Sequence, residues 1–485
     1  VIQPRVDSNT AASSTPLFVD AAIIGTGQAA VPLAVALSAA GESVAVFEGG
    51  ELGGSCVNVG CTPTKTLRKS ARVANMARRA QEYGVNVGEV RVDFAAAMER
   101  AASVVESSRN GLTRWLGEAS GVSLVREWGR FDGRAADRFI VRGSTTVVHA
   151  SRVYVNTGTR PFLPPIPGLD DVPVLTNESV MQLRELPRHL VILGGSYIGL
   201  EFGQIFRRLG SEVSVIESSD TVAAREDEDV VARISELLES EGVSLHTKAS
   251  VVAIARSHSD SLGAGCTVTV QHGKSNHREQ LHASHLLVAT GRIPNTERLR
   301  LDTVNVKLDD RGFIPVNGAL ETDVRGIFAL GDVNRRGAFT HTSYQDYEIV
   351  IANHRGGSRS ADGRITTYAM YTDPPLGRVG LGEREARELM KAGRRFLIAS
   401  HEMRFVSRAK EEGEITGVLR VLVDADSDRF VGASLLGIGA DEIVQIIGAM
   451  IAADAPYQVL RDTLPVHPTV TEFFPTILGK LQPFE

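Results

Sequence analysis

One pattern occurs twice along this 485-residue chain, and it constrains the fold more than any other feature. The apolar run Ala21 to Ile24 meets Gly25, Gly27 and Ala30, passes into a small-residue helical stretch, and returns as a second strand ending at Glu48. The same order recurs in "HLVILGGSYIGLEFGQIFRRLGSEVSVIESSD", where Gly194, Ser196 and Gly199 are followed by Glu217. Both glycine-to-acid separations (25 to 48 and 194 to 217) are 23 residues. Strand, Gly-rich turn, helix, strand and acid together let a backbone turn approach a pyrophosphate at a helix N-terminus while a carboxylate bonds a ribose hydroxyl. A single such turn also arises for steric reasons alone. Two in register predict an α/β chain with two Rossmann-like dinucleotide-binding domains. Pro32 falls near the first turn of its helix, where the missing N–H is tolerated, and Ser196 stands where the middle glycine would be.

Two dinucleotide sites imply electron traffic between two dinucleotides, typically a flavin and a nicotinamide. Other strand ends fit that expectation. "SRVYVNTGTRPFLPPIPG" leaves an apolar strand at Thr157-Gly158 and enters a proline-rich link, and "SHLLVATGRIPNT" repeats the exit at Thr290-Gly291. "RGIFALGDV" places Gly331-Asp332 after another apolar run, where a carboxylate can bind a flavin's polyol chain. "DFAAAMERAASVVESSRNGLTRWL" reads as an amphipathic helix. From about Tyr368 the character changes to a separate α+β unit, with a hairpin in "GVLRVLVDADSDRFVGASLLG" and a helix in "ADEIVQIIGAMIAA".

Charge excludes some classes. The net value is −6 and no long basic run stands out, so no nucleic-acid partner is expected. No apolar run is long enough to span a membrane. The first stretch, "VIQPRVDSNTAASSTP", lacks an apolar core segment and reads as a disordered tail rather than a signal peptide. Three cysteines are too few for a secreted disulfide framework, which points to a reducing compartment, the cytoplasm by default.

Two of those cysteines, Cys56 and Cys61, lie close together in "GGSCVNVGCTPTK". A structural zinc needs about four ligands, and no local histidine completes the set, so no metal is expected there. A structural disulfide across so short a loop stabilises little in so large a protein. A redox-active pair fits better. Cys61 precedes a predicted helix, "TPTKTLRKSARVANMARRA", whose N-terminal dipole and Lys65 favour a thiolate, and Gly60 relieves crowding in the loop.

With these segments in place, the chain resembles the class I flavin-dependent pyridine nucleotide-disulfide oxidoreductases, the family of dihydrolipoamide dehydrogenase, glutathione reductase and mercuric reductase. The resemblance runs from Phe18 to the end, and "GGSCVNVGC" downstream of a flavin-type turn is its most specific part. It implies an FAD stacked against Cys61 and an outer thiol, Cys56, that attacks substrate. It further implies that Lys65 pairs with Glu201 near the hydride-accepting nitrogen and that Tyr197 covers the nicotinamide pocket. Gly54, Ser55, Ile198 and Arg292 join the cofactor contacts named above. Glu217 favours NADH, because a carboxylate repels a 2′-phosphate, while Arg225 leaves a route to NADPH.

The segment "LPVHPTVTEFFPTIL" completes the resemblance. His467 next to a proline is by itself an ordinary loop residue. Thiol–disulfide exchange, however, needs a proton donor and a base, which an imidazole oriented by a carboxylate such as Glu472 supplies. In disulfide-reducing relatives this segment reaches into the other subunit's site, so the resemblance implies an obligate homodimer with a shared active site. The expected domain order is a tail over 1–17, FAD-binding segments over 18–160 and 291–366, an NAD(P)-binding domain over 161–290 and a dimerisation domain over 367–485.

The expected activity is electron transfer from NAD(P)H through FAD and the Cys56–Cys61 disulfide to an external small-molecule disulfide, of the dihydrolipoamide or low-molecular-weight thiol kind. "GTGQAA", "CTPTK" and "REDEDV" look most like mercuric-reductase-like flavoproteins. Those carry a second cysteine pair near the C-terminus, whereas the third cysteine here, Cys266, reads as a strand residue in the nicotinamide domain. Mercuric-ion reduction is therefore the alternative, and a non-catalytic flavoprotein subunit a third reading. The set Cys56, Cys61, Lys65, Glu201, His467 and Glu472 argues against the last, since a scaffold needs none of them.

Overall fold

The computed structural model describes residues 15–259, 263–273 and 277–485. Most of the expected N-terminal tail lies outside the described residues, and Leu17 already opens a strand. The chain forms two compact units. One takes in the residues up to Cys61, Val104–Arg160 and Arg292–Gly363, and the other Thr62–Ser103, Pro161–Gly291 and Arg364–Glu485. Residues 62–103, which the sequence groups with the first FAD-binding segment, pack in the second unit. The reason is apolar burial: Leu67, Ala71, Phe94 and Met98 share one core with Leu190, Ile192 and Phe206.

The first unit is built on a seven-stranded sheet. Its parallel part runs Val122–Val125, Val44–Phe47, Leu17–Ile24, Val147–Val155 in space. Arg138–Arg142 and Arg130–Ala135 extend it antiparallel, and Ile327–Ala329 pairs in parallel with Val147–Val155. Alternate residues of Leu17–Ile24 serve opposite faces, as the period of a strand requires. Ala21 and Ile23 face a core with Leu33 and Leu37 of helix Ala30–Ala39 and Ile349 of helix Thr340–His354. Ala22 and Ile24 face Phe47, Phe131 and Phe139. Ile24 pairs with both Phe47 and Val155, so Gly25, Glu48 and Asn156 emerge together at one end of the sheet.

The second unit repeats the scheme. A five-stranded parallel sheet runs Val243–His246, Glu212–Ile216, His189–Leu193, His285–Val288, Val174–Leu175. His189–Leu193 is buried throughout, as a central parallel strand must be. A three-stranded antiparallel sheet follows from Ala249–Ser259, Gly263–His272 and Arg278–Ala283. The expected hairpin, Val418–Asp424 with Phe430–Leu436, lies inside a six-stranded sheet whose core includes Val444 and Ile447 of helix Ala440–Ala452. Among the described residues no helix is long and apolar enough to cross a membrane.

A buried ion network stabilises this unit. Arg208 is 7% exposed and binds both Glu241, at 2.6 Å, and Asp373, itself 4% exposed. Burial pushes the Asp373 carboxyl up, but Arg208, Arg72 and Arg68 outweigh it and hold it below the usual carboxylate range. Replacing Arg208 by methionine removes the ion-pair partner of the part-buried Glu241 and one of three arginines on the buried Asp373, and is expected to cost about 3 kcal/mol in urea unfolding near neutral pH. Because the Asp373 pKa is depressed on folding, its contribution is full above the unfolded value and is lost as pH falls through the folded one. The deficit of Arg208→Met therefore shrinks below pH 3.8, the ordinary aspartate value.

Candidate active site

The first Gly-rich turn is shaped by steric necessity. Gly25 has φ +95°, and a Cβ there would lie 2.5 Å from the Asn156 carbonyl oxygen. At Gly27 a Cβ would lie 2.5 Å from Asn156 Oδ1. Asn156 ties the turn together: Oδ1 accepts from the Ala30 N–H at 3.2 Å and Nδ2 donates to the Leu330 carbonyl at 2.7 Å. Glu48 folds back to accept from the Thr26 N–H at 3.1 Å and the Thr26 hydroxyl at 2.6 Å. The turn is thus held bare of side chains at the head of a helix, which suits the pyrophosphate of a dinucleotide.

Across the same sheet, Asp332 accepts from the Thr159 hydroxyl at 3.1 Å. Burial pushes its carboxyl up, with Arg292 and Thr159 opposing, and the net direction is upward. Arg292 in turn donates to Thr159 Oγ1 at 2.8 Å. A half-buried carboxyl at a strand end fits the hydroxyls of a polyol, so the residues present suit an FAD. Thr157 and Gly158 serve the exit turn itself, with Thr157 Oγ1 donating to the Asn295 carbonyl at 3.0 Å and Gly158 at φ +63°.

The cysteines occupy two consecutive helices. Cys56 lies in Gly54–Asn58 and Cys61 opens Cys61–Arg78. The link closes tightly, since a Cβ at Gly60 would sit 2.7 Å from the Ser55 carbonyl oxygen. A Cβ at Gly54 would lie 3.1 Å from Gly27 Cα, so the cysteine loop and the Gly-rich turn are near neighbours. Hydrogen bonding to Cys61 and burial push the Cys56 thiol up, while the Thr340 hydroxyl acts the other way. Cys61 is exposed, and its Sγ lies 3.3 Å from Thr340 Oγ1 at the start of helix Thr340–His354.

In the second unit, Lys65 donates to Glu201 Oε2 at 2.8 Å. Glu201 is nearly fully buried, and its other oxygen accepts from the Tyr371 N–H at 2.8 Å. The Lys65 ammonium also lies 4.5 Å from the centre of the Tyr371 ring. Glu201 thus fixes a cation that is itself part exposed.

The second Gly-rich turn repeats the first. Gly194 has φ +107°, and a Cβ there would meet the Ala289 carbonyl oxygen at 2.5 Å; one at Gly199 would meet the Gly194 carbonyl oxygen at 1.9 Å. Ser196 caps helix Tyr197–Leu209 in an extended conformation and makes no side-chain cap bond. Ile198 lies in that helix's first turn, while Gly291 ends the strand exit at φ +138°. Glu217 accepts from the Gly195 N–H at 2.8 Å and the Ser219 N–H at 2.7 Å. Burial pushes its carboxyl up, but those N–H groups outweigh it and keep it below its ordinary value. Near neutral pH it is a fixed negative charge.

Toward the C-terminus, a ring nitrogen of His467, Nδ1, lies 2.7 Å from Glu472 Oε2. An ionised carboxylate only accepts, so Nδ1 carries the proton and Nε2 is left as the basic nitrogen. The His467 side chain is 74% exposed, whereas that of Glu472 is 13% exposed. Leu464 and Val466 just before it are also exposed, an apolar surface beside the imidazole.

Sequence reading did not single out Asn156, Thr340 or Tyr371. Asn156 follows a buried strand directly, a polar residue at an apolar run's end, and Thr340 begins a helix after Phe339. Those are the signals that were present. Tyr371 had none, because its backbone reaches Glu201 across 170 positions.

Comparison with known proteins places this geometry. The pattern of the family described as pyridine nucleotide-disulphide oxidoreductase matches residues 19–346, and that of its dimerisation domain matches residues 366–477. A probable pyridine nucleotide-disulfide oxidoreductase, RclA of Escherichia coli K12, is 34% identical over 457 residues, covering 93% of this chain and 97% of the relative. A mercuric reductase of Streptomyces lividans is 33% identical over 455 residues, 93% of each chain. A dihydrolipoyl dehydrogenase of Bacillus subtilis is 28% identical over 459 residues, 93% of this chain and 96% of the relative. The solved structure of the HOCl-induced flavoprotein disulfide reductase RclA from E. coli superposes with a TM-score of 0.84 at 33% identity, over 95% of this chain and 99% of the other. With both nucleotide cradles and the dimerisation unit matched, the chain belongs to the pyridine nucleotide-disulphide oxidoreductases, flavin-dependent enzymes that use FAD and NAD(P)H.

Proposed function

We propose that the protein is an NAD(P)H-dependent reductase of an external small-molecule disulfide, working through Cys56 and Cys61 as a homodimer in a reducing compartment such as the cytoplasm. The observation that carries this reading is the placing of the two thiols, Cys56 in Gly54–Asn58 and an exposed Cys61 at the start of Cys61–Arg78, in a loop packed against the first Gly-rich turn. The family resemblance divides the work: Cys61 faces the flavin as a thiolate, and Cys56 is the outer thiol, whose proton a base removes before it attacks. His467 with Glu472 is the base that the chain supplies, from the partner subunit in the arrangement the family resemblance implies.

The first cradle, with Gly25, Gly27, Glu48 and Asp332, would hold an FAD, which would supply two-electron transfer between a nicotinamide and the Cys56–Cys61 disulfide. The chain's own residues do the rest. The turns at Gly25–Gly27 and Gly194–Gly199, with Glu48, Asp332 and Glu217, hold the two dinucleotides. Lys65, fixed by Glu201, keeps a positive charge one helical turn after Cys61. Cys56, deprotonated by His467, attacks one sulfur of the external disulfide; a mixed disulfide forms and the first thiolate departs, taking the proton from His467. Cys61, as a thiolate, then attacks the Cys56 sulfur, the intramolecular disulfide re-forms and the second substrate sulfur leaves as a thiolate that takes its proton from solvent. The exposed Leu464 and Val466 beside His467 suit coverage by a second subunit.

The mercuric reductases among the relatives favour a second reading, Hg(II) as electron acceptor. Against it, Cys266 is buried in strand Gly263–His272, where burial pushes its thiol up to about 11. It is no ready ligand for a soft ion, and the chain has no other spare thiol. Steady-state oxidation of NADH with oxidised lipoamide, small-thiol disulfides and Hg(II) in turn separates the two. Turnover on a disulfide without metal supports the first reading, and turnover only with Hg(II) replaces it with the second.

Donor choice follows from Glu217. Removing its charge in Glu217→Ala relieves repulsion of a 2′-phosphate, and is expected to shift the NADPH to NADH ratio of kcat/KM about tenfold toward NADPH, some 1.4 kcal/mol. Competitive steady-state kinetics with both donors reads this directly.

A further inference from the structure

We propose that His246, His272 and Glu279 form a binding site for a divalent transition metal of the Zn(II) class, separate from the cysteine pair. The three come from three strands. His246 ends Val243–His246, His272 ends Gly263–His272, and Glu279 lies in Arg278–Ala283. Val270 pairs with Glu279, so Val270, His272 and Glu279 share one face of the antiparallel sheet. Val268 and Val270 on that face are buried against Ile216 and Leu286, and His246 is the register partner of Ile216. Packing of the two sheets therefore brings His246 to the rim where His272 and Glu279 emerge.

The donor geometry is that of a facial metal site. Glu279 Oε2 lies 2.8 Å from His272 Nε2 and 3.6 Å from His246 Nδ1, and one ligand atom of each residue lies within 4.8 Å of the others. Tetrahedral Zn(II) with bonds near 2.0–2.1 Å holds its ligand atoms about 3.3 Å apart, so small side-chain rotations close the set. Two imidazoles and one carboxylate leave a fourth position for water, the donor set that borderline divalent ions take. The side chains are 16%, 31% and 39% exposed for His246, His272 and Glu279, which lets an ion enter from solvent.

The test is competition between the flavoprotein and a chromophoric chelator for Zn(II), with Cys56 and Cys61 alkylated so that thiols do not compete. The expected result is one Zn(II) per subunit, with affinity weakened in His272→Ala and Glu279→Gln by at least the roughly 10–100-fold that changes beside metal ligands cost. Co(II) provides a second readout that misfolding does not imitate: its visible ligand-field bands, taken as a difference spectrum, are expected in the parent and lost in His246→Asn, while far-ultraviolet circular dichroism is unchanged. No binding by the parent, or equal affinity in parent and variants, would reduce the trio to a carboxylate paired with two imidazoles and overturn the proposal.

Discussion

Cys56→Ser and Cys61→Ser each bring NAD(P)H-dependent disulfide reduction down by on the order of 10⁵ or to the detection limit, since members of a catalytic unit fail together rather than additively. The two variants fail at different steps. In Cys61→Ser the Cys56 thiol still attacks an external disulfide, but nothing resolves the mixed disulfide, so the protein gains the mass of half the substrate at Cys56. In Cys56→Ser no such adduct forms at position 56. The asymmetry follows from the site: Cys56 sits in the short helix Gly54–Asn58 with its thiol raised, while Cys61 opens the long helix beside Thr340. Intact-protein mass spectrometry after incubation with a small disulfide separates them. Adducts at both positions in equal amount would remove the assigned order of attack.

His467→Gln is the second large effect. Loss of a positioned acid–base lowers rates by about 10²–10⁴, and here the loss falls on one half of the cycle. Reduction of the cysteine pair by NADH is slowed far less, because hydride transfer to the flavin does not use the imidazole. Reoxidation by the external disulfide slows by that factor. Glu472→Gln slows the same half-reaction by less, since the carboxylate orients the ring at 2.7 Å without touching substrate. Rapid-mixing absorbance of the two half-reactions distinguishes this from a folding defect, which slows both.

The parts of this architecture that were legible in sequence are those fixed by short-range geometry. Gly25, Gly27, Gly194 and Gly199 had to be glycine because a Cβ at each meets backbone or Asn156 within 2.5 Å, and that necessity leaves a spacing readable in one dimension. The cysteine loop was legible for the same reason at Gly60. His467 and Glu472 lie five positions apart and are hydrogen-bonded, a local signal as well. Contacts between distant segments left no such trace. Arg208 reaches Asp373 across 165 positions, and Asn156 reaches Leu330 across 174. Neither pairing has a spacing that a sequence reader can anticipate. The segment 62–103 went with the second unit because four apolar side chains found a core there, which amphipathic periodicity alone cannot assign. The cluster of His246, His272 and Glu279 needed the packing of two sheets to exist at all.

Electrons from the nicotinamide are expected to reach an external substrate through Cys56 and Cys61. Differential alkylation tests it most directly: the air-oxidised flavoprotein is alkylated with and without prior anaerobic reduction by NADH, then digested and the peptide bearing Cys56 and Cys61 is weighed. Both cysteines are expected to be blocked before NADH, to become alkylated after it, and to be blocked again when an external disulfide is added before the alkylating agent. Cysteines that stay blocked after the flavin has been reduced, or that are alkylated to the same extent throughout, would contradict it.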